Sequence, residues 1–295
     1  MKDLILFSIP AVIWGSTWLA IKFQVGEVDP VVSVSYRFFL AGLLLLVYSK
    51  WKGLSLQFNR KEHGFILLQG LLIFGINYAL VYTAELTLTS GLVGLLFSTL
   101  VILNIINSRI FLKTAFEPKV LIGGVLGLVG MGLVFRQDLS TFSLADGKVV
   151  GLLFALGGAV VASLGNITSA RNQKAGIPVI QSNALGMLYG AAAMLAFALI
   201  SQKPITFEQS TGYILSLAFL SVFGSVIAFT AYLTLIGRIG ASRSGYVVLV
   251  SPIIALMLST LFEDYRWTIT GALGAILILV GNGFVLQLRQ KTSST

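Results

Sequence analysis

Apolar residues run through this chain in ten long stretches, separated by short connections that carry most of the charge. Crossing the hydrocarbon of a bilayer takes about 20 apolar residues in a helix. The runs therefore predict spans over residues 4–22, 30–49, 64–84, 89–111, 119–136, 149–171, 178–200, 212–236, 240–262 and 267–287. They fall into two sets of five, the second repeating the first about 148 residues later. Ala11-Val12 aligns with Ala159-Val160, Pro30-Val31 with Pro178-Val179, Gly42 with Gly190 and, after a one-residue drift, Thr83-Ala84 with Thr230-Ala231. Because each set holds an odd number of spans, the second must enter the membrane from the opposite side. The predicted fold is an all-α membrane protein of ten transmembrane helices, built as two inverted five-helix repeats, residues 1–143 and 144–295. In such a fold a substrate site lies near the bilayer midplane between the halves.

Composition narrows the class. Of 295 residues, 56% are hydrophobic and 11% charged, against roughly 25% charged in a soluble domain. The net charge of +9 would suit nucleic acid, but its placement argues against that partner. Of the 20 Lys and Arg, 14 fall in the termini and in alternate connections on one side, among them Lys50, Lys61, Arg109, Lys113, Arg238 and Arg243. Five fall on the other side: Lys22, Arg136, Lys148, Lys203 and Arg266. The positive-inside rule then puts the basic side and both termini in the cytoplasm. Acidic residues lean the other way, with Glu27, Asp29, Glu85, Glu263 and Asp264 outside and Asp3, Glu62 and Glu117 inside. Partners expected on this reading are the lipid bilayer and a small molecule, with a monomer sufficient. Residues 4–22 show no small-residue cleavage site before Trp18, which predicts a retained first helix and not a signal peptide. With no cysteine in the chain, disulfides and thiolate metal sites are excluded.

Several short motifs carry a family resemblance. Trp14-Gly15-Ser16-Thr17-Trp18 resembles the opening of EamA-type members of the drug/metabolite transporter superfamily. Tyr36 to Gly42 is similar to that family's Arg-Phe-x-x-Ala segment, and Ser251-Pro252 with Leu261-Phe262-Glu263 to its Pro-to-Glu stretch. The first half lacks the matching proline and glutamate, and the second has Ala162 and Leu185 where the tryptophan and arginine would stand. The resemblance implies ten helices, a bacterial inner-membrane location and export of amino acids or other metabolites. It names no cargo.

Candidate site residues are polar or aromatic groups at depth. Trp14 lies mid-helix, away from the interfacial belts where Trp collects, with Thr17 and Trp18 on the same face. Asn77, Tyr78 and Tyr82 follow in the third span, Asn104 and Asn107 in the fourth, Asn166 in the sixth, Thr230 in the eighth and Tyr246 in the ninth. Together they would line a mainly apolar small-molecule cavity. Taken singly, each also reads as glue between helices. Arg37, about 10 Å below the outer end of its span at 1.5 Å per residue, either holds an anion such as a substrate carboxylate or snorkels outward and pairs with Glu27, Asp29 or Glu85. Pro252 removes a backbone donor and predicts a kink. Gly123 with Gly127 and Gly186 with Gly190 permit close helix contact.

Catalytic and metal chemistry finds no foothold. The lone histidine, His63, falls in a charged loop and reads as a solvated surface residue. There is no zinc-binding His pair and no phosphate loop for ATP. With Glu85 and Glu263 at water-facing ends, a proton pump built on a buried carboxylate is not expected. No cofactor is expected either. The leading expectation is a secondary transporter exporting an amino acid or related zwitterion by alternating access. Carriers of an organic cation, nucleotide or vitamin, a polytopic enzyme and a channel are the competing readings.

Overall fold

The computed structural model describes residues 1–24, 26–141, 148–262 and 267–286. Glu263, Asp264, Arg266, Arg289 and Lys291 lie outside them. So does the side chain of Trp18, although its backbone is helical.

Helices follow one another in the expected order: α1 Lys2–Lys22, α2 Pro30–Trp51, α3 Arg60–Gln69, a π-helical segment π1 Gly70–Ile76, α4 Asn77–Glu85, α5 Ser90–Phe97, α6 Leu100–Leu112 and α7 Pro118–Val134. After the short α8, Arg136–Thr141, come α9 Lys148–Lys174, α10 Val179–Ile200, α11 Thr211–Phe219, a second π-helical segment π2 Leu220–Ile227, α12 Ala228–Ile239, α13 Ala241–Ser244, α14 Val247–Phe262 and α15 Ile269–Leu286. Among the described residues, six continuous helical stretches are long and apolar enough to cross a membrane. Pro118–Val134, Ala241–Met257 and Ile269–Gly283 are shorter apolar helices. Large apolar side chains such as Phe39, Val47, Leu153, Leu199 and Ile276 are half or more exposed. Only lipid makes such a surface favourable. The protein is a multi-pass membrane protein.

Local sequence explains where helices begin. Asp29 caps α2 by accepting from the Val31 N–H at 2.9 Å, with Pro30 in the first turn, where its missing donor costs nothing. Asn59 and Glu62 form a reciprocal capping box on α3. Thr89 and Ser210 cap α5 and α11.

The periodicity did not foresee the two π segments. Spans expected as uninterrupted helices, 64–84 and 212–236, each hold one. A π turn fits an extra residue and rotates everything after it relative to the turns before. In both spans the residues so rotated face the interior cavity described below.

Two helix pairs pack most extensively, α7 with α15 and α2 with α10. At the first, a Cβ on Gly130 would lie 2.6 Å from the Gly274 carbonyl oxygen, and one on Gly274 would lie 2.4 Å from the Gly130 oxygen. The backbones touch there, which only glycine at both positions permits. Gly123, Gly127 and Gly190 sit in similarly tight contacts, as their spacing predicts.

Two expectations need correction. His63 is half-buried, not solvated: its ring nitrogen lies 2.8 Å from the Tyr189 hydroxyl, and its edge meets Phe58. Glu85 is only partly exposed, and its Oε1 is out of solvent with no hydrogen-bond partner, because the side chain packs inward at the end of α4.

Candidate functional site

An interior cavity lies where α1, α4, α9, α12 and α14 converge. The cavity is small, with a volume of about 70 Å³. The lining is apolar and aromatic with a few polar groups. Helix α1 gives Trp14, Thr17 and Ile21; α4 gives Asn77, Tyr78 and Val81; α9 gives Ala162 and Asn166. Phe229 and Tyr232 come from α12, Val248 and Ser251 from α14.

Aromatic contacts fix the wall. The Trp14 ring meets Phe229 and Tyr232 edge-on, with centroids 5.1 and 5.0 Å apart, a favourable geometry for paired π systems. Its indole N–H donates to the Gly224 carbonyl in π2 at 3.2 Å, giving this deep Trp the partner it needs. Tyr78 packs edge-on to Phe38 and lies near Phe229. Asn77 donates to the Ile73 carbonyl at 3.3 Å, and its buried Oδ1 accepts from no described group. In α14 the hydroxyl of Ser251 donates at 3.3 Å to the Val248 carbonyl, the acceptor that Pro252 leaves without its backbone donor. Pro252 sits inside α14, and its neighbour Ser251, not Pro252 itself, reaches the cavity.

A hydrogen-bonded polar layer closes one end. Asn166 donates to the Tyr232 hydroxyl at 3.0 Å and, more weakly, to Asn104 Oδ1 at 3.4 Å. Asn104 in turn donates to the Ala241 carbonyl at 3.1 Å, and Asn107 to Ser163 at 2.8 Å. Beyond this layer opens a wide vestibule between the ends of α6, α9 and α12 and the start of α13, bordered by Arg109, Lys174, Arg238 and Arg243. It lies at the end of the bundle that the charge asymmetry assigns to the cytoplasm. Three of these four cations are engaged: Arg238 pairs with Asp3, Arg243 with Glu117 at 2.5 Å, and Arg109 donates to the Thr114 carbonyl.

Arg37 is unlike these. It is 0% exposed. Its Nε donates to Ser225 at 3.0 Å and its Nη1 to the Tyr82 hydroxyl at 3.2 Å, while the guanidinium lies 4.5 Å from the centre of the Tyr78 ring and 5.2 Å from that of Phe38. Nη2 has no partner. The expected pairing with Glu27, Asp29 or Glu85 does not occur. Asp29 pairs with Lys203 at 2.6 Å, Ser90 lies 3.4 Å from Glu85, and Glu27 is exposed. Snorkelling is ruled out as well, since the side chain stays inside the bundle.

Of the sequence candidates, Trp14, Thr17, Asn77, Tyr78 and Asn166 come together on the cavity wall. Tyr82 and Arg37 lie one layer behind Tyr78, and Asn104 lies in the polar floor without lining the cavity. Tyr246 is fully buried and donates to the Val120 carbonyl against α7. The Thr230 hydroxyl is buried without a partner, away from the lining. Both therefore stand apart from the cavity. Sequence reasoning missed Phe229, Tyr232 and Gly224. Tyr232 was legible as a polar-tipped aromatic at depth, like Tyr78. Phe229 and Gly224 were not, because an apolar residue in an apolar span carries no sign of which way it faces. Among the described residues no cluster of His, Asp or Glu is placed to hold a metal.

The fold is that of a multi-pass helical membrane protein with an interior cavity, and comparison with known proteins gives its family. The profile of the EamA-like transporter family matches residues 1–136 and again 149–287, and the chain belongs to that family. It is similar to the "uncharacterized transporter YoaV" of Bacillus subtilis (strain 168), 27% identical over 286 residues and covering 94% of this chain and 95% of that one. It is also similar to the "uncharacterized inner membrane transporter YedA" of Escherichia coli (strain K12), 26% identical over 280 residues, covering 92% and 88%. "Protein PagO" of Salmonella typhimurium is 23% identical over 285 residues, covering 97% and 93%. A crystal structure of a protein with 19% identity superposes over 99% of both chains with a TM-score of 0.82, which establishes a shared fold. The family description and the names of the first two relatives indicate transporters, not enzymes.

Proposed function

We propose that this protein is a secondary transporter of the bacterial inner membrane that exports an amino acid or related zwitterion by alternating access. The carrying observation is a cavity walled by Trp14, Asn77, Tyr78, Asn166, Phe229 and Tyr232 and separated by one hydrogen-bonded layer from a basic vestibule. Apolar walls suit an apolar side chain. The free Asn77 Oδ1 is an acceptor for an ammonium, and desolvated donors and acceptors left open in a pocket favour the ligand that fills them. On this reading the two halves are inverted repeats. Support comes from the double match of the family profile and from π1 and π2, which start 150 residues apart and each rotate wall residues inward. Opening the Asn104–Asn166–Tyr232 layer while closing the opposite end would expose the cavity to the vestibule.

Counterflow in proteoliposomes tests this directly. Labelled apolar amino acids should show saturable uptake accelerated by unlabelled cargo inside, lost on Trp14→Ala, Asn77→Ala or Tyr78→Ala. Flux that never saturates and ignores the internal cargo would establish a channel instead. The chain has no native cysteine, so single cysteines near residues 2 and 295 can be labelled from each side. Both should be reached only from the cytoplasm.

A further inference from the structure

The vestibule is far roomier than the interior cavity, about 710 Å³ against about 70 Å³. Small-molecule sites occupy roughly 300–1,000 Å³, so the vestibule can admit an organic ligand as it stands. Four cations converge on it from four elements: Arg109 near the end of α6, Lys174 at the end of α9, Arg238 in α12 and Arg243 in α13. Membrane topology asks only that basic residues flank the cytoplasmic surface. It does not ask that four of them share one recess.

The carboxylates nearby do not balance that charge. Among the described residues Glu117 is the one acid on the wall, and Asp3 reaches Arg238 from the start of α1. Four cations against two carboxylates leave a surplus of two positive charges. The arginines also use little of their hydrogen-bonding capacity, since a guanidinium carries five N–H donors. Arg238 engages through Nε, Arg243 through Nη2 and Arg109 through Nη1, and the other nitrogens stay open. The Lys174 ammonium is exposed and bonds to no described group.

A neutral donor stands at the same wall. Ser108, next to Arg109, borders the vestibule and is 2% exposed, yet its hydroxyl has no hydrogen-bond partner. A serine inside a helix can donate to the carbonyl one turn back, as Ser98 does to Gly94 and Ser244 to Gly240, both at 2.8 Å. Ser108 makes no such bond. A buried donor left open favours the acceptor that reaches it.

We infer that the vestibule is a binding site for a dianionic phosphate group, carried by a small phosphomonoester or by a lipid headgroup, and distinct from the cargo cavity. A phosphomonoester brings a charge of about −1.5 to −2 and three strong acceptor oxygens. These match the surplus charge, the open arginine forks, which pair with phosphate in bidentate fashion, and the Ser108 hydroxyl. Leu112, Phe116 and Ile239 give an apolar flank for the organic part. The occupant ties α6 to α9, α12 and α13 across the mouth of the bundle. Since α13 also holds Ala241, whose carbonyl anchors Asn104 in the polar layer, the site sits directly over that layer.

The test compares phenyl phosphate with benzenesulfonate, a monoanion of similar shape, on the purified protein at equal ionic strength. Calorimetry and thermal shift read the binding, because a ligand of the folded state raises its melting temperature. Phenyl phosphate should bind saturably and at least about tenfold more tightly than benzenesulfonate. Lys174→Gln should weaken it about threefold. Ser108→Ala should weaken it about tenfold and leave the melting temperature of the empty protein unchanged, because the hydroxyl bonds to nothing there. Nanodiscs of phosphatidylcholine, with and without phosphatidic acid, separate the two sources. Phenyl phosphate binding that disappears when phosphatidic acid is present assigns the site to a lipid headgroup, and binding that persists assigns it to a soluble phosphomonoester. The inference is overturned if benzenesulfonate binds as tightly as phenyl phosphate, if neither variant weakens phenyl phosphate, or if no saturable binding occurs.

Discussion

Two arginine environments in this molecule follow opposite rules. In the vestibule, Arg238 and Arg243 reach across helices to Asp3 and Glu117, with side chains still partly in contact with solvent. Behind the cavity, Arg37 has no solvent and, among the described residues, no acid paired with it. Water and counter-charge both relieve a cation, and the vestibule has both. Its ion pairs are therefore ordinary and weak, since solvent-exposed pairs contribute about 0–1 kcal/mol. The buried arginine has neither, and its charge is met by the hydroxyls of Ser225 and Tyr82 and the ring faces of Tyr78 and Phe38.

That contrast can be attacked from several directions. Trp14→Ala should have the largest effect, removing the edge-on contacts to Phe229 and Tyr232 and the bond to Gly224. We expect a loss of about 3 kcal/mol, near the low end for a buried aromatic, measured by denaturation in detergent, together with lost cargo binding. If stability is unchanged, the wall does not depend on Trp14. Asn166→Ala leaves the Tyr232 hydroxyl and Asn104 carbonyl without their shared donor in a dry layer. It should cost about 1–3 kcal/mol and make the floor leaky, raising uncoupled flux in proteoliposomes. Next comes salt. Raising ionic strength from 0.15 to 1 M shrinks the Debye length from about 8 to about 3 Å. The effect of neutralising Arg109 or Lys174 on uptake rate should fade accordingly, while the effect of Trp14→Ala on the cavity wall should persist, because it does not act through charge. The smallest effect belongs to Glu117→Gln, where a double-mutant cycle with Arg243→Gln should return a coupling under about 1 kcal/mol. A coupling of several kcal/mol would make the vestibule as dry as the interior and abolish the distinction drawn here.

Much of this architecture was open to reading in one dimension. Helix order, the capped starts at Asp29 and Asn59, and the deep placement of Trp14, Asn77, Tyr78 and Asn166 all follow from signals within a span or a turn. The errors were of another kind. Glu85 and His63 lie at the ends of apolar runs, where sequence suggests water, but their surroundings are set by neighbouring helices. Tyr246 and Thr230 were at the right depth and on the wrong face.

Depth in the membrane is a property of the chain alone, because hydropathy and helical rise fix how far each residue stands from the bilayer surface. Charge alternation and repeat spacing are equally local. Tertiary structure alone decided which side of each helix looks inward, since lipid and helix interfaces are both apolar and hydropathy does not distinguish them. The π turns rotated Asn77, Tyr78, Phe229 and Tyr232 onto one hollow. The packing of α2 against α10 and π2 buried Arg37 among Ser225, Tyr82 and Tyr78, away from the described acids.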